Sequence, residues 1–160
     1  MSGCCVVSPA ESTPKEGCPG CGNKGRPVSL RTVRAILKPD IAMGSGDPRF
    51  CPNPKCDHLY FDGTTVALKT AARVRIGIKE SSDPVPLCYC FNWTRGDVRD
   101  ELQTTGKCTL VERITVELQA DHCACEVKNP SGKCCLGEVR KAIKEAQDFL
   151  QRQSEIGGRP

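Results

Sequence analysis

Cys18-Pro-Gly-Cys21-Gly22, answered further along by Cys51-Pro-Asn-Pro-Lys-Cys56, is the part of the chain on which the fold turns. Two thiolates from one short loop take two corners of a tetrahedron, and two such loops complete it. Glycine after the second cysteine permits the tight backbone that aims amides at sulfur, and the prolines of the second loop restrict its unfolded freedom. The pattern predicts a four-thiolate site at Cys18, Cys21, Cys51 and Cys56 with zinc as its occupant. Four protein ligands leave no open position, and zinc needs no redox partner. Such a site folds a chain and turns over no substrate. Cys-x-x-Cys alone also suits a thioredoxin-type redox pair, but the strand and helix expected around that pair are missing and a second pair stands at zinc-finger distance. His58 is a reserve ligand, its plainer reading being a half-exposed histidine beside the strand Leu59-Tyr60-Phe61.

Around this motif the composition is unusual. Thirteen of 160 residues are cysteine, and they are counted within a hydrophobic share of only 38%, with aromatics at 4%. Twelve prolines and fifteen glycines add loops that bury little, so metal coordination must supply organisation that apolar burial does not. A secreted disulfide framework predicts an even cysteine count and an export leader. The count is odd, the start Met1-Ser-Gly-Cys-Cys-Val-Val lacks a basic leader with an apolar core, and no apolar run approaches a membrane span. The expected setting is a reducing cytoplasm.

The formal charge of +4 counts every cysteine as a neutral thiol. Two centres that each carry −2 with four thiolates would bring the filled protein close to zero, which removes the argument for nucleic acid. Lys69, Arg73, Arg75 and Lys79 alternate with Val74, Ile76 and Ile78 and read as the wet face of a strand, not a phosphate-binding patch.

Punctuation divides the chain into a tail at 1–17, a zinc module at 18–79, a linker at 80–87 and a second, helical module at 88–155. In the first module the runs Pro27 to Leu37 and Leu59 to Leu68 read as β-like. In the second, Thr94-Arg-Gly-Asp97 caps a helix to about Thr104, and Thr109-Leu-Val-Glu112 matches a capping box opening a helix to about Ala120. Leu136, Val139, Ile143, Ala146 and Leu150 recur at spacings of three and four, one apolar helical stripe that Gly157 brings to a stop. The predicted fold is α+β, a small metal-stapled protein with a β-rich zinc module ahead of a helical one.

The helical module carries its own thiols. Cys88-Tyr-Cys90 is too tight for ordinary structural zinc but suits an iron-sulfur cluster on a loop before a helix, whose N-terminal amides favour negative charge. The late cysteines Cys123, Cys125, Cys134 and Cys135 supply the rest. Asn129-Pro-Ser-Gly132 is a strong turn that folds Cys125 back toward Cys134 and Cys135.

Cys-x-Cys, two short helices, then cysteines opening a helix resembles the [2Fe-2S] domain of bacterioferritin-associated ferredoxins and the central region of NifU scaffolds. Those families place the last two ligands as Cys-x-x-Cys, unlike this chain. Cys125-Glu-Val-Lys-Asn-Pro-Ser-Gly-Lys-Cys134-Cys135 is more similar to the amino-terminal region of archaeal CopZ-type copper chaperones, which joins a zinc module to such a cluster. The resemblance runs from about Cys18 to Phe149. It implies zinc on Cys18, Cys21, Cys51 and Cys56 and a [2Fe-2S] cluster on Cys88, Cys90, Cys125 and Cys135, with Cys123 and Cys134 as near misses. The full chaperones continue into a separate copper-binding domain, and this chain stops at Pro160 before one, so delivery of copper by that domain is not implied.

Cys4, Cys5, Cys108, Cys123 and Cys134 remain. Cys108 reads as a small buried residue, while the adjacent Cys4 and Cys5 suit a soft ion such as Cu(I) or Hg(II). No Gly-rich phosphate loop, His-Glu-x-x-His or Gly-x-Ser-x-Gly motif is present, and there are only two histidines, so hydrolytic and group-transfer chemistry is not expected. The functional expectation is electron transfer coupled to metal-ion handling, with a redox partner or metal-transport protein. The competing expectation is an iron- or redox-sensing scaffold that docks on a partner, with Phe91 and Trp93 at its edge.

Overall fold

A computed structural model describes residues 16–157, so residues 1–15 of the expected tail, with the Cys4-Cys5 reading, lie outside it, while Glu16 and Gly17 belong to the first module through Arg49 and a bridge to Lys24. Four antiparallel strands, β1 (Arg26–Pro27), β2 (Arg49–Phe50), β3 (His58–Phe61) and β4 (Val66–Leu68), form a sheet in chain order. Between β1 and β2 runs α1 (Leu30–Ile36). Phe50, Leu59 and Tyr60 from the sheet bury against Val33, Ile36 and Leu37 from the helix and its end.

The second half begins with a hairpin of β5 (Pro86–Cys88) and β6 (Trp93–Thr94), followed by α2 (Arg95–Thr105), α3 (Leu110–Gln119), the single turn α4 (Cys125–Lys128) and α5 (Leu136–Gly157). Val98, Leu102, Leu110, Ile114 and Val139 make its core, and the expected stripe of α5 packs there through Leu136, Ile143, Ala146 and Leu150. The architecture is the expected mixture of a β-rich first part and a helical second part.

Three sequence expectations are corrected. The run from Pro27 to Leu37 is mostly helix, because Ser29 accepts the Thr32 N–H as an N-cap and places Val33, Ile36 and Leu37 on one buried face. Lys79 is not on a wet strand face: Lys69–Ala71 and Gly77–Lys79 are short 3-10 turns, and Lys79 is buried. Thr94 and Asp97 do form a capping box, but Thr109 does not cap α3 with its side chain. Its hydroxyl instead donates to Glu101 at 2.6 Å, an acceptor that also takes Arg113 at 3.0 Å.

The two halves are joined by polar contacts as well as packing. Tyr60, fully buried, donates its hydroxyl to the Pro130 carbonyl at 2.6 Å. Tyr89, between Cys88 and Cys90, accepts the Gly77 N–H at 2.8 Å and donates to the Arg75 carbonyl at 3.0 Å. Both cysteine-bearing turns of the second half are thus tied to the first.

Candidate metal centres

The first group of thiols is built on local backbone geometry. Gly22 adopts φ +74°, a conformation open to glycine, and its N–H reaches the Cys18 carbonyl at 2.7 Å, closing the knuckle. The Cys51 N–H donates to Leu59 of β3 at 2.9 Å, and the loop to Cys56 is closed by the Cys56 N–H on the Asn53 carbonyl at 3.3 Å. These turns bring Cys18, Cys21, Cys51 and Cys56 together, all four sulfurs within 4.8 Å of one another. The closest pairs are Cys18 to Cys56 at 3.8 Å and Cys21 to Cys51 at 3.7 Å. A tetrahedral zinc with Zn–S bonds of ~2.3 Å has an edge of about 3.8 Å, so the cage has the right size.

Cys18, Cys51 and Cys56 are buried and packed against Phe61, with Cys21 half-buried. Burial pushes the Cys51 thiol up to about 12 and raises Cys56 as well. Burial also acts against the Cys21 thiolate, but the Asn23 backbone N–H, the Asn53 side chain and the neighbouring thiols outweigh it and hold Cys21 at about 6. Filling such a cage with metal therefore means expelling protons from buried thiols. His58 stands with Nδ1 3.6 Å from the Cys18 sulfur. It contacts a thiol whose three companions already complete the cage, the position of a supporting residue. Lys79, which sequence reasoning placed elsewhere, donates from Nζ to the carbonyls of Asn53 at 2.7 Å and Cys56 at 2.8 Å, clamping the Cys51–Cys56 loop.

The second group arises from elements far apart in sequence. Cys88 ends β5, Cys90 sits in the hairpin turn, Cys125 opens α4 and Cys135 immediately precedes α5. The turn at Asn129–Gly132 forms as expected: the Gly132 N–H reaches the Asn129 carbonyl at 2.8 Å, and Gly132 has φ +67°. It directs the chain from Cys125 back to Cys135. Of these four thiols, Cys90 and Cys125 stand close together, while Cys88 and Cys135 are buried in the core of the second half. Cys90 and Cys125 lie 3.6 Å apart. Cys88 and Cys135 share one buried cluster, and the neighbouring Cys135 thiol, with the Phe91 and Cys90 N–H groups, outweighs burial and holds Cys88 at about 6 while Cys135 is raised. Burial raises Cys90 and Cys125 too, and the Ala124 N–H donates to the Cys90 sulfur at 3.3 Å.

The leftover cysteines separate by position. Cys134 is exposed, and Cys108 is half-buried with its thiol 3.5 Å from Glu101. Cys123 joins the site: Cys90, Cys123 and Cys125 have sulfurs within 4.8 Å of one another. The repeated Cys-x-Cys spacing of Cys123-Ala-Cys125 was the available signal for it. Trp93 and Phe91 pack against the helical core, and Arg113 lies over the Trp93 ring at 5.3 Å, so both aromatics are at least partly engaged.

Residues 15–73 match a zinc-binding domain family of CopZ type. Over 151 residues the chain is 36% identical to the copper chaperone CopZ of Archaeoglobus fulgidus, the match covering 88% of this chain and 72% of that protein. The chain belongs to the CopZ family. Its structure also superposes on the crystallographic N-terminal domain of Archaeoglobus fulgidus CopZ with a TM-score of 0.64 and 31% identity, spanning 78% of this chain and 95% of that domain. The CopZ-type chaperone region expected from Cys18 onward is therefore present, with its zinc-binding domain at the N-terminal end. Among the described residues no helix is long and apolar enough to cross a membrane.

Proposed function

We propose that this CopZ-type protein holds zinc on Cys18, Cys21, Cys51 and Cys56 and a [2Fe-2S] cluster on Cys88, Cys90, Cys125 and Cys135, and that it passes single electrons in the handling of copper or a similarly soft ion. The observation that carries the reading is the placing of Cys90 beside Cys125 and of Cys88 in one buried cluster with Cys135, each couple drawing one sulfur from the β5–β6 hairpin and one from a segment flanking Asn129–Gly132. A separation of 3.6 Å between Cys90 and Cys125 suits two thiolates on one tetrahedral metal. Thiolate-only, tetrahedral donor sets are those of zinc and of iron-sulfur centres.

A bound cluster would supply a one-electron couple, and the chain sets its surroundings. The Ala124 amide donates to the Cys90 sulfur, and the nearby N–H groups of Phe91 and Cys90 favour the Cys88 thiolate. Cys88 and Cys135 are buried, while Cys90 and Cys125 are half-buried, so one end of the site is nearer to solvent and to a redox partner. The zinc cage fixes the first half, against which the second site is positioned through Tyr60 and Tyr89. The naming of the Archaeoglobus relative as a copper chaperone supports copper as cargo and a metal-transport protein as partner.

The test is to isolate the protein under nitrogen, reduce it with dithionite, remove excess reductant and add Cu(II) with a Cu(I)-specific chelator. The expected result is one Cu(I) for each reduced centre, with the visible spectrum returning to its oxidised form. An absence of Cu(I) beyond that of the zinc-only protein sinks the electron-transfer reading. Irreversible bleaching on reduction would favour the sensing scaffold instead.

A further inference from the structure

Cys123 has no role in the site as proposed, yet among the described residues it is placed better than the other leftover thiols, Cys108 and Cys134. We infer that Cys123 is an alternative ligand that exchanges with Cys125 at the Cys90 end of the second metal site, an inference that rests on the cluster reading above. Its sulfur lies 3.0 Å from that of Cys125. It also belongs, with Cys90 and Cys125, to a group of three sulfurs within 4.8 Å, a span that one metal ion can bridge.

The backbone explains the placement. After α3, Asp121 takes φ +59° and reverses the chain, and the Ala124 N–H anchors the next segment on the Cys90 sulfur at 3.3 Å. Cys123 and Cys125 therefore flank a residue pinned to the third thiol and both project toward it. Cys134 makes the contrast: although directly adjacent to a proposed ligand in sequence, it is exposed, whereas Cys123, two residues from Cys125, is half-buried.

Exchange between these neighbours is chemically balanced. Cys123 forms a sulfur–metal bond as Cys125 gives one up, and the proton leaving the Cys123 thiol passes to the Cys125 sulfur beside it. No electron moves and no further reactant is needed. Cys125 is the first residue of a single-turn helix, so its release disturbs one turn of backbone and no long element. The consequence is a site that swaps one ligand at its solvent-near end without letting the metal go.

Cys123→Ala, Cys125→Ala and the double variant, each prepared under nitrogen, test this by iron, acid-labile sulfide and zinc content. Cys125→Ala is expected to keep at least half of the wild-type iron and sulfide with an altered visible circular dichroism spectrum, and the double variant to lose them about tenfold while keeping zinc. If Cys125→Ala loses iron as completely as the double variant and still holds zinc, the exchange is refuted. Should Cys125→Ala also lose zinc, the loaded wild-type protein decides through alkylation. Partial labelling of both Cys123 and Cys125, with Cys88, Cys90 and Cys135 protected, is expected; a fully protected Cys125 beside a fully labelled Cys123 overturns the inference. Wild-type protein without iron overturns the cluster reading itself, and the exchange with it.

Discussion

At the scale of single residues, Lys79 shows how the first cage depends on groups that bind no metal. Its ammonium is buried and satisfies two carbonyls of the loop between Cys51 and Cys56. Lys79→Met keeps the bulk but strands the Cys56 carbonyl and leaves the Asn53 carbonyl only the long bond from the Cys56 N–H, a buried acceptor without a partner costing about 1–3 kcal/mol. The zinc-loaded variant is expected to lose about 2 kcal/mol or more in urea unfolding and to surrender zinc faster to a chelator; wild-type behaviour in both would show the clamp to be idle. Asp62 supports the β3–β4 turn in another way. Burial works against its carboxylate, but the N–H groups of Thr65 and Thr64 and their hydroxyls overcome that and hold it at about 2, below the usual 3.8. A depressed carboxyl contributes stability that is complete above its unfolded value and is lost as pH falls toward the folded one. The cost of Asp62→Ala, about 1–3 kcal/mol, is therefore expected to be the same at pH 6 and pH 8, and a cost that changes between them would contradict this origin. Cysteine spacing was legible in the sequence because chelation is a local geometric property. The burial of Lys79 was not, because its partners lie more than twenty residues away and its neighbours alternate as a strand would.

At the scale of elements, the contact between Tyr60 of β3 and the turn carrying Pro130 links the sheet to the segment between Cys125 and Cys135. Tyr60→Phe removes one hydroxyl from a fully buried site and leaves the Pro130 carbonyl unpaired, at a cost of about 1–3 kcal/mol. Faster amide exchange is expected at residues 129–135 and in β3 together; faster exchange in β3 alone would mean that the two elements are not coupled through this bond. Helices α2 and α5 could be read from a capping box and a long apolar stripe, both of which act within one element. The helix α1 could not, since Val28, Thr32 and Val33 suit a strand and only the Ser29 cap with the packing of Val33, Ile36 and Leu37 decides for helix. The Thr109 cap failed because its hydroxyl is turned to donate to Glu101 on the preceding helix while its oxygen accepts from Arg113 Nε in place of a backbone N–H.

At the scale of the whole molecule, apolar cores are small and polar ties cross between the two halves, so metal in one half should be felt in the other. Removing zinc with a chelator under nitrogen is expected to open the β1–β4 sheet to hydrogen exchange and to shorten the lifetime of the second centre in air severalfold. An unchanged lifetime would show the halves to be independent. The two-centre reading is most directly tested by native mass spectrometry of the chain isolated under nitrogen. The expected spectrum has one dominant species carrying one zinc ion and one [2Fe-2S] unit. A dominant species carrying two zinc ions and no iron, or no metal at all, would contradict it.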